Sequence, residues 1–92
     1  MSSVERAVRI VNSRGLHARA SAKFVNLASQ IDARIEVEKD GNRVVGTSIM
    51  GLMMLGAAKG DSILIRVEGD DAEDALNQLV RLVECGFDEE CG

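Results

Sequence analysis

The chain has no proline, tryptophan or tyrosine, and its only aromatic residues are Phe24 and Phe87. A surface that stacks nucleic-acid bases would therefore have almost no aromatic side chains to use. The net charge of −4 gives no electrostatic support for binding a phosphate backbone. We therefore expect no nucleic-acid partner and a core built mainly of aliphatic side chains and alanine.

Long apolar runs are also missing. No stretch approaches the roughly 18 apolar residues of a membrane-spanning helix, and residues 1–6 hold no apolar run typical of a signal peptide. We therefore expect a cytoplasmic protein with no membrane contact. Ninety-two residues, 46% of them hydrophobic, predict a single domain over 1–92 with an acidic tail from about residue 87.

Cysteine and histidine are too few for a metal centre. Cys85 and Cys91 are the two cysteines, and the one histidine, His17, is far from them in sequence. This spacing matches neither a zinc site nor a disulfide framework. We expect two reduced thiols, no metal and no cofactor.

The apolar periodicity predicts four strands and three helices in the order βαββαβα. The predicted strands cover residues 7–11, 34–38, 43–46 and 62–68, and the predicted helices cover about 17–29, 49–55 and 72–85. Because the strands alternate between apolar and polar residues, one face of the sheet should be covered by helices. The fold class is therefore α/β (α+β), an open-faced sandwich.

Local signals mark the ends of these elements. Asp40-Gly41 predicts a tight hairpin turn, and Ser48 is the expected N-cap of the second helix. Asp70 and Glu73 have the spacing of a capping box before the third helix. The tail from residue 87 is expected to be frayed.

His17 stands where a helix would normally begin with Ser, Thr, Asp or Asn. Gly15 allows a sharp turn just before it. The unpaired N–H groups of a helix start attract anions, so a neutral imidazole there could accept a phosphoryl group while Arg19 holds its oxygens. Sequence position alone equally allows an exposed or capping histidine without chemistry.

Residues 15–21, Gly-Leu-His-Ala-Arg-Ala-Ser, resemble the active-site signature of the HPr family. These are the small phosphocarriers of the bacterial phosphoenolpyruvate-dependent phosphotransferase system. Residues 47–60 are similar to the family's second signature, and the resemblance covers nearly the whole chain. It implies an antiparallel four-stranded sheet in the order 1-4-2-3, covered on one face by three helices.

The resemblance implies a carrier, not an enzyme. His17 would accept the phosphoryl group on Nδ1 from phosphorylated enzyme I and pass it to enzyme IIA proteins. Arg19 would stabilise the phosphoryl group, and the backbone N–H groups of Ala18 and Arg19 would bind its oxygens. The protein is expected to act as a monomer.

Ser48 has two interpretations, because an N-cap serine needs no further role. The resemblance adds regulatory phosphorylation of this serine by an HPr kinase/phosphorylase, although Thr47 beside it leaves the assignment ambiguous. Phosphate would suit the helix N-terminus but would place negative charge beside apolar contacts.

The second predicted helix is apolar on all sides, so part of its surface should face outward, where methionine suits a docking surface for several partners. The resemblance implies that this docking patch also includes residues near the histidine, with a basic rim that meets acidic partners. The patch comprises Leu16, Ala20, Ile49, Met50 and Met53, and the rim comprises Arg14, Arg19, Lys23 and Lys59.

One position departs from the sugar-transport members, which usually carry proline where this chain has Ala20. This exchange and the end of the chain from Gly86 are similar to the nitrogen-related branch of the system. Two other functions stay open: a regulatory domain that binds a free anion, and an HPr-like regulator that acts mainly through Ser48 phosphorylation and protein binding.

Overall fold

The computed structural model describes residues 3–89. Its elements follow the predicted order and end in a short 3₁₀ turn. Their bounds are Ser3–Arg9 (β1), Ala18–Ser29 (α1), Arg34–Lys39 (β2), Asn42–Val45 (β3), Ile49–Met54 (α2), Ser62–Glu68 (β4), Ala72–Glu84 (α3) and Gly86–Asp88 (the 3₁₀ turn). The expected βαββαβα arrangement is confirmed.

The four strands form one antiparallel sheet in the order β1-β4-β2-β3, as the resemblance implied. β4 lies between β1 and β2, with Val67 opposite both Val4 and Ile35. Every second side chain of β4 is buried. This strand therefore joins the two halves of the sheet through one apolar face.

The core lies between that face and the helices. Its members are aliphatic except for the two phenylalanines, as the composition predicted. Besides the polar Asn12, the largest fully buried side chains are Phe24, Phe87, Ile10, Leu52, Ile63, Ile65, Leu76, Leu79, Val37, Val67 and Val83. Burying such apolar surface is the main term that stabilises a domain of this size.

The other face of the sheet is charged. The Arg43 guanidinium lies 3.3 Å from the Glu38 carboxylate and 3.9 Å from that of Glu36.

No helix within residues 3–89 has both the length and the apolar character needed to cross a bilayer.

The prediction for β1 was displaced along the chain. The strand runs from Ser3 to Arg9, whereas residues 7–11 were expected. Its polar half still pairs, because β1 is an edge strand that needs only one buried face. Ile10 lies beyond the strand, but its N–H still donates to the Asp61 carbonyl at 2.8 Å.

The hairpin between β2 and β3 agrees with the prediction. Asp40 and Gly41 have φ values of 52° and 85°, the positive angles that a two-residue hairpin turn requires. This turn sets a register in which Glu38 lies opposite Arg43.

The capping box predicted at α3 is wrong. The N-cap residue is Asp71, in the left-handed region at φ 55°, and its side chain makes no capping hydrogen bond. Asp70 therefore lies one position too early to cap the helix. Glu73 and Asp74 lie in the first turn, where their negative charge favours the positive end of the helix dipole.

The prediction of a frayed tail is wrong for residues 87–89. Phe87 is fully buried, and residues 86–88 form the 3₁₀ turn. Phe87 is buried because its large apolar surface is stabilised by packing against the core. The rest of the predicted tail, including Cys91, lies outside the described residues.

Candidate functional site

His17 is the N-cap residue of α1, as its position predicted. Its backbone is extended, with φ −76° and ψ −179°, and its side chain makes no capping hydrogen bond. The first bond of the helix runs from the Ser21 N–H to the His17 carbonyl at 2.9 Å. The imidazole is therefore free to make contacts outside its own helix.

The loop before His17 is held against the segment that follows α2. Gly15 has φ +63°, and a Cβ at this position would lie 2.2 Å from the Ala57 carbonyl oxygen. The Leu16 N–H donates to that same oxygen at 3.0 Å. Only glycine fits such a close backbone approach at a positive φ, and the contact brings the two signature runs together.

The first turn of α1 carries unsatisfied donors. Within residues 3–89, the N–H groups of Ala18, Arg19 and Ala20 have no backbone or side-chain partner. No acidic side chain lies in this turn to neutralise its partial positive charge. The helix start can therefore receive an external anion.

Arg19 lies in this turn, as predicted. Its side chain is exposed, and no hydrogen bond or ion pair holds its guanidinium among the described residues. A guanidinium in this state keeps all its donors available for a phosphoryl group.

The side chain that contacts His17 was not predicted from the sequence. The imidazole Nε2 lies 2.5 Å from Oε2 of Glu89, 72 positions further along the chain. The side chains of His17 and Glu89 are only 22% and 19% exposed. The other ring nitrogen, Nδ1, makes no hydrogen bond within the described part of the chain.

Glu89 is held as a carboxylate. Burial raises the pKa of its carboxyl group, but the hydrogen bonds from His17 and Asn12 and the charges of His17 and Lys23 together outweigh burial. The pKa of Glu89 therefore lies below its ordinary value of 4.5. Because a carboxylate can only accept, Nε2 must be the donor.

Asn12 connects the carboxylate to the loop before His17. Its fully buried Nδ2 donates to the Gly15 carbonyl at 2.9 Å and to Oε1 of Glu89 at 3.2 Å. Since both neighbours are acceptors, the amide must turn its nitrogen toward them. Oδ1 of Asn12 is buried without a partner among the described residues.

The 3₁₀ turn carries Glu89 to the site. Phe87 and Asp88 have φ values of 55° and 65°, a left-handed conformation that side chains other than glycine rarely adopt. Burial of Phe87 and a 2.8 Å hydrogen bond from Lys23 Nζ to its carbonyl hold this turn in place. The one available clue in the sequence was Phe87, an aromatic residue too large to leave in water.

The residues predicted for partner docking divide into two groups. Ile49, Met50 and Met53 are exposed on α2, with 40%, 69% and 40% of their surface accessible. Leu16 and Ala20 are buried at 5% and 0%, so their side chains support the region from beneath and present almost no surface to a partner.

Two further apolar side chains are exposed near the predicted patch. Val45, at the end of β3, is 57% exposed, and Met54, at the end of α2, is 81% exposed. Met54 was missed because sequence periodicity alone does not tell which side of a six-residue helix faces the sheet.

The two lysines of the predicted rim differ in their surroundings. Lys59 is exposed, and it makes no hydrogen bond or ion pair with residues 3–89. Lys23 is half-buried and donates to the Phe87 carbonyl. Lys23 therefore supports the 3₁₀ turn, a role that the sequence did not suggest.

Ser48 caps α2, as predicted. Its Oγ accepts a hydrogen bond from the Gly51 N–H at 3.0 Å. Its side chain is half-buried.

Among residues 3–89, no group of three or more His, Cys, Asp or Glu side chains is arranged to hold a metal ion.

Comparison with known proteins gives a consistent result. The family model "PTS HPr component phosphorylation site" matches residues 4–85. The phosphocarrier protein HPr of Neisseria meningitidis is 45% identical over 86 residues, covering 94% of this chain and 97% of that protein. The phosphocarrier protein NPr of Shewanella violacea is 40% identical over 89 residues, covering 97% and 98%.

The fold agrees with a solved member of the same family. The crystal structure of the phosphocarrier protein HPr from Bacillus anthracis superposes with a TM-score of 0.85 at 42% identity, covering 90% of this chain and 99% of that one. The matches in sequence and in structure both extend over nearly the full length of the chain. The chain belongs to the HPr family, the phosphocarrier proteins of the phosphotransferase system.

Proposed function

We propose that this phosphocarrier accepts its phosphoryl group on Nδ1 of His17 and passes it on to a second protein. The observation that carries the proposal is the position of the imidazole at an uncapped helix start, with Nε2 bonded to a carboxylate. The ring nitrogen that makes no hydrogen bond within residues 3–89 is the one that the HPr resemblance assigns as the acceptor.

The groups around His17 suit a phosphoryl anion. The N–H groups of Ala18 and Arg19 would bind its oxygens at the positive end of α1. The Arg19 guanidinium would add charge-assisted hydrogen bonds that hold the group during transfer. The protein acts as a carrier rather than a catalyst, since the phosphohistidine is an intermediate that another protein consumes.

The partners act within the phosphotransferase system. Phosphorylated enzyme I would be the donor and an enzyme IIA protein the acceptor. This chain would act as a monomer, and both partners would dock on the exposed apolar face of its helix α2. Ile49, Met50 and Met53 supply that face, and Leu16 and Ala20 support it from the core. Arg14, Arg19 and Lys59 form an exposed basic rim that suits acidic partner surfaces.

The identity of the acceptor separates the two branches of the system. Ala20 and the chain end from Gly86 support the nitrogen-related branch, and the NPr protein of Shewanella violacea is one of the relatives. Transfer to a nitrogen-related IIA protein at a higher rate than to a sugar-specific IIA protein would support this assignment. The reverse order of rates would contradict it.

The central test is phosphorylation by phosphoenolpyruvate and enzyme I. The wild-type chain should take up acid-labile, alkali-stable phosphate, and His17→Ala should take up none. Because the chain has a single histidine, the labelled residue is unambiguous. A wild type that takes no label from an active cognate enzyme I would contradict the proposed function and favour binding of a free anion at the same helix start.

Ser48 supports a second, regulatory role. Its hydroxyl already accepts from a first-turn N–H of α2 beside the exposed Ile49 and Met50. Phosphate added there by an HPr kinase/phosphorylase would bring negative charge to the docking face. Ser48→Asp should therefore slow transfer from enzyme I, and an unchanged rate would remove Ser48 from this role.

A further inference from the structure

We propose that Glu89 is a positioning residue for His17: its carboxylate holds the proton on Nε2 and thereby keeps the lone pair on Nδ1. This inference rests on the proposed function of His17. It assigns a role in phosphoryl transfer to the C-terminal 3₁₀ turn, which lies outside both signature runs.

The hydrogen bond at Nε2 determines the tautomer of the imidazole. A neutral histidine carries one proton, on either Nδ1 or Nε2, and the partner of one nitrogen decides which. Here Nε2 lies 2.5 Å from a carboxylate oxygen that can only accept. The proton is therefore held on Nε2, and Nδ1 is left with the lone pair that a nucleophile needs.

Two hydrogen bonds fix the orientation of the Glu89 carboxylate. Its two oxygens have different partners, Oε2 facing His17 and Oε1 facing the Asn12 amide. The same amide donates to the Gly15 carbonyl. Asn12 thus ties the carboxylate to the loop that precedes the histidine and fixes its position relative to the ring.

The 3₁₀ turn just before Glu89 has an unusual backbone conformation. Two consecutive residues without the freedom of glycine, Phe87 and Asp88, have positive φ values. Such a conformation persists only where the surroundings determine it. Burial of Phe87 and the hydrogen bond from Lys23 provide that determination, and the result is a carboxylate next to the imidazole.

This arrangement allows Nδ1 to take the phosphoryl group from enzyme I while Nε2 keeps its proton. The Nδ1 lone pair attacks the phosphorus, an N–P bond forms, and the bond from phosphorus to its leaving atom on enzyme I breaks with the electron pair returning to enzyme I. The ring keeps its Nε2 proton and becomes positively charged. The Glu89 carboxylate stabilises that charge, as carboxylates do for histidines that become charged during a reaction.

The direct test is ¹⁵N NMR of the unphosphorylated full chain labelled in its single histidine. Wild type should show one tautomer, with a protonated Nε2 and an unprotonated Nδ1. Glu89→Ala should show a mixture of tautomers. Glu89→Gln should also relax the preference, because an amide can donate as well as accept.

The kinetic test uses the same variants with enzyme I and phosphoenolpyruvate. Glu89→Ala should slow phosphoryl transfer about tenfold, by analogy with the lower end of the loss seen when the hydrogen-bond partner of a metal-ligating histidine is removed. Glu84→Gln is the matched control, because Glu84 is an exposed acidic residue of α3 with no side-chain hydrogen bond or ion pair within residues 3–89.

The outcomes separate the two proposals. An unchanged tautomer together with an unchanged transfer rate in folded Glu89→Ala would overturn the positioning role while leaving His17 as the acceptor. A wild-type chain that takes no phosphate would contradict the proposed function instead. The tautomer measurement needs no phosphoryl donor, so it would still decide whether Glu89 positions the ring.

Discussion

The starts of α1 and α2 solve the same problem in opposite ways. At α2, the Ser48 hydroxyl accepts from the Gly51 N–H and so satisfies one first-turn donor within the helix. At α1, His17 makes no capping bond, and the first-turn N–H groups stay available among the described residues. The α1 start gives up local stabilisation and keeps a site for an anion, whereas the α2 start gains a capping hydrogen bond beside an exposed apolar face.

The largest expected effect comes from giving α1 the cap that α2 has. His17→Ser should abolish uptake of acid-labile phosphate completely, because the nucleophile is gone. Its free energy of unfolding should stay within about 1 kcal/mol of wild type, since the new cap offsets the lost contact with Glu89. Phosphorylation assays and urea unfolding measure the two effects, and acid-labile phosphate on this variant would place the acceptor elsewhere.

The next effect concerns the charge at the open helix start. Arg19→Ala should slow phosphoryl transfer from enzyme I about tenfold, which corresponds to one charge-assisted hydrogen bond in the transition state. Arg19→Lys should recover only part of the rate, because an ammonium lacks the planar fork of a guanidinium.

Single-turnover kinetics measure this effect of Arg19. Arg81→Ala is the matched control, since Arg81 is an exposed arginine of α3 whose side chain makes no ion pair or hydrogen bond within residues 3–89. Equal rates for Arg19→Ala and the control would show that the backbone N–H groups alone hold the phosphoryl group.

The closed helix start predicts an effect on stability. Ser48→Ala should lower the free energy of unfolding by about 1 kcal/mol, because the Gly51 N–H loses its acceptor. Ser29→Ala, at the exposed last position of α1, should leave it nearly unchanged. Equal unfolding curves for the two variants would mean that water replaces the Ser48 hydroxyl at no cost.

The two helix starts also show what a sequence can predict. Ser48 and the Asp40-Gly41 turn were predicted correctly because neighbouring residues decide them. The capping box at α3 failed because the backbone of Asp71 adopts a left-handed conformation that residue spacing does not reveal. The strand order came from the HPr resemblance, since periodicity predicts strands but not their partners.

The contact between His17 and Glu89 was beyond local reasoning for a different reason. It joins residues 72 positions apart through a turn with two unfavourable φ values. Its existence depends on where Phe87 is buried, and that depends on the assembled core. Composition could indicate that Phe87 would be covered, but not that covering it would bring a carboxylate to the imidazole.

The smallest expected effect is the pH dependence of that contact. Folding holds the pKa of Glu89 below its ordinary value of 4.5. Its contribution to stability is therefore fully present above the unfolded pKa and is lost as the pH falls through the lower, folded pKa. The difference in unfolding free energy between wild type and Glu89→Gln should accordingly shrink in acid. Urea unfolding at a series of pH values, with NMR titration of the Glu89 side chain, measures both quantities. A Glu89 carboxyl that titrates at or above 4.5 would contradict this prediction, because it would mean that burial outweighs the hydrogen bonds and charges that favour the carboxylate.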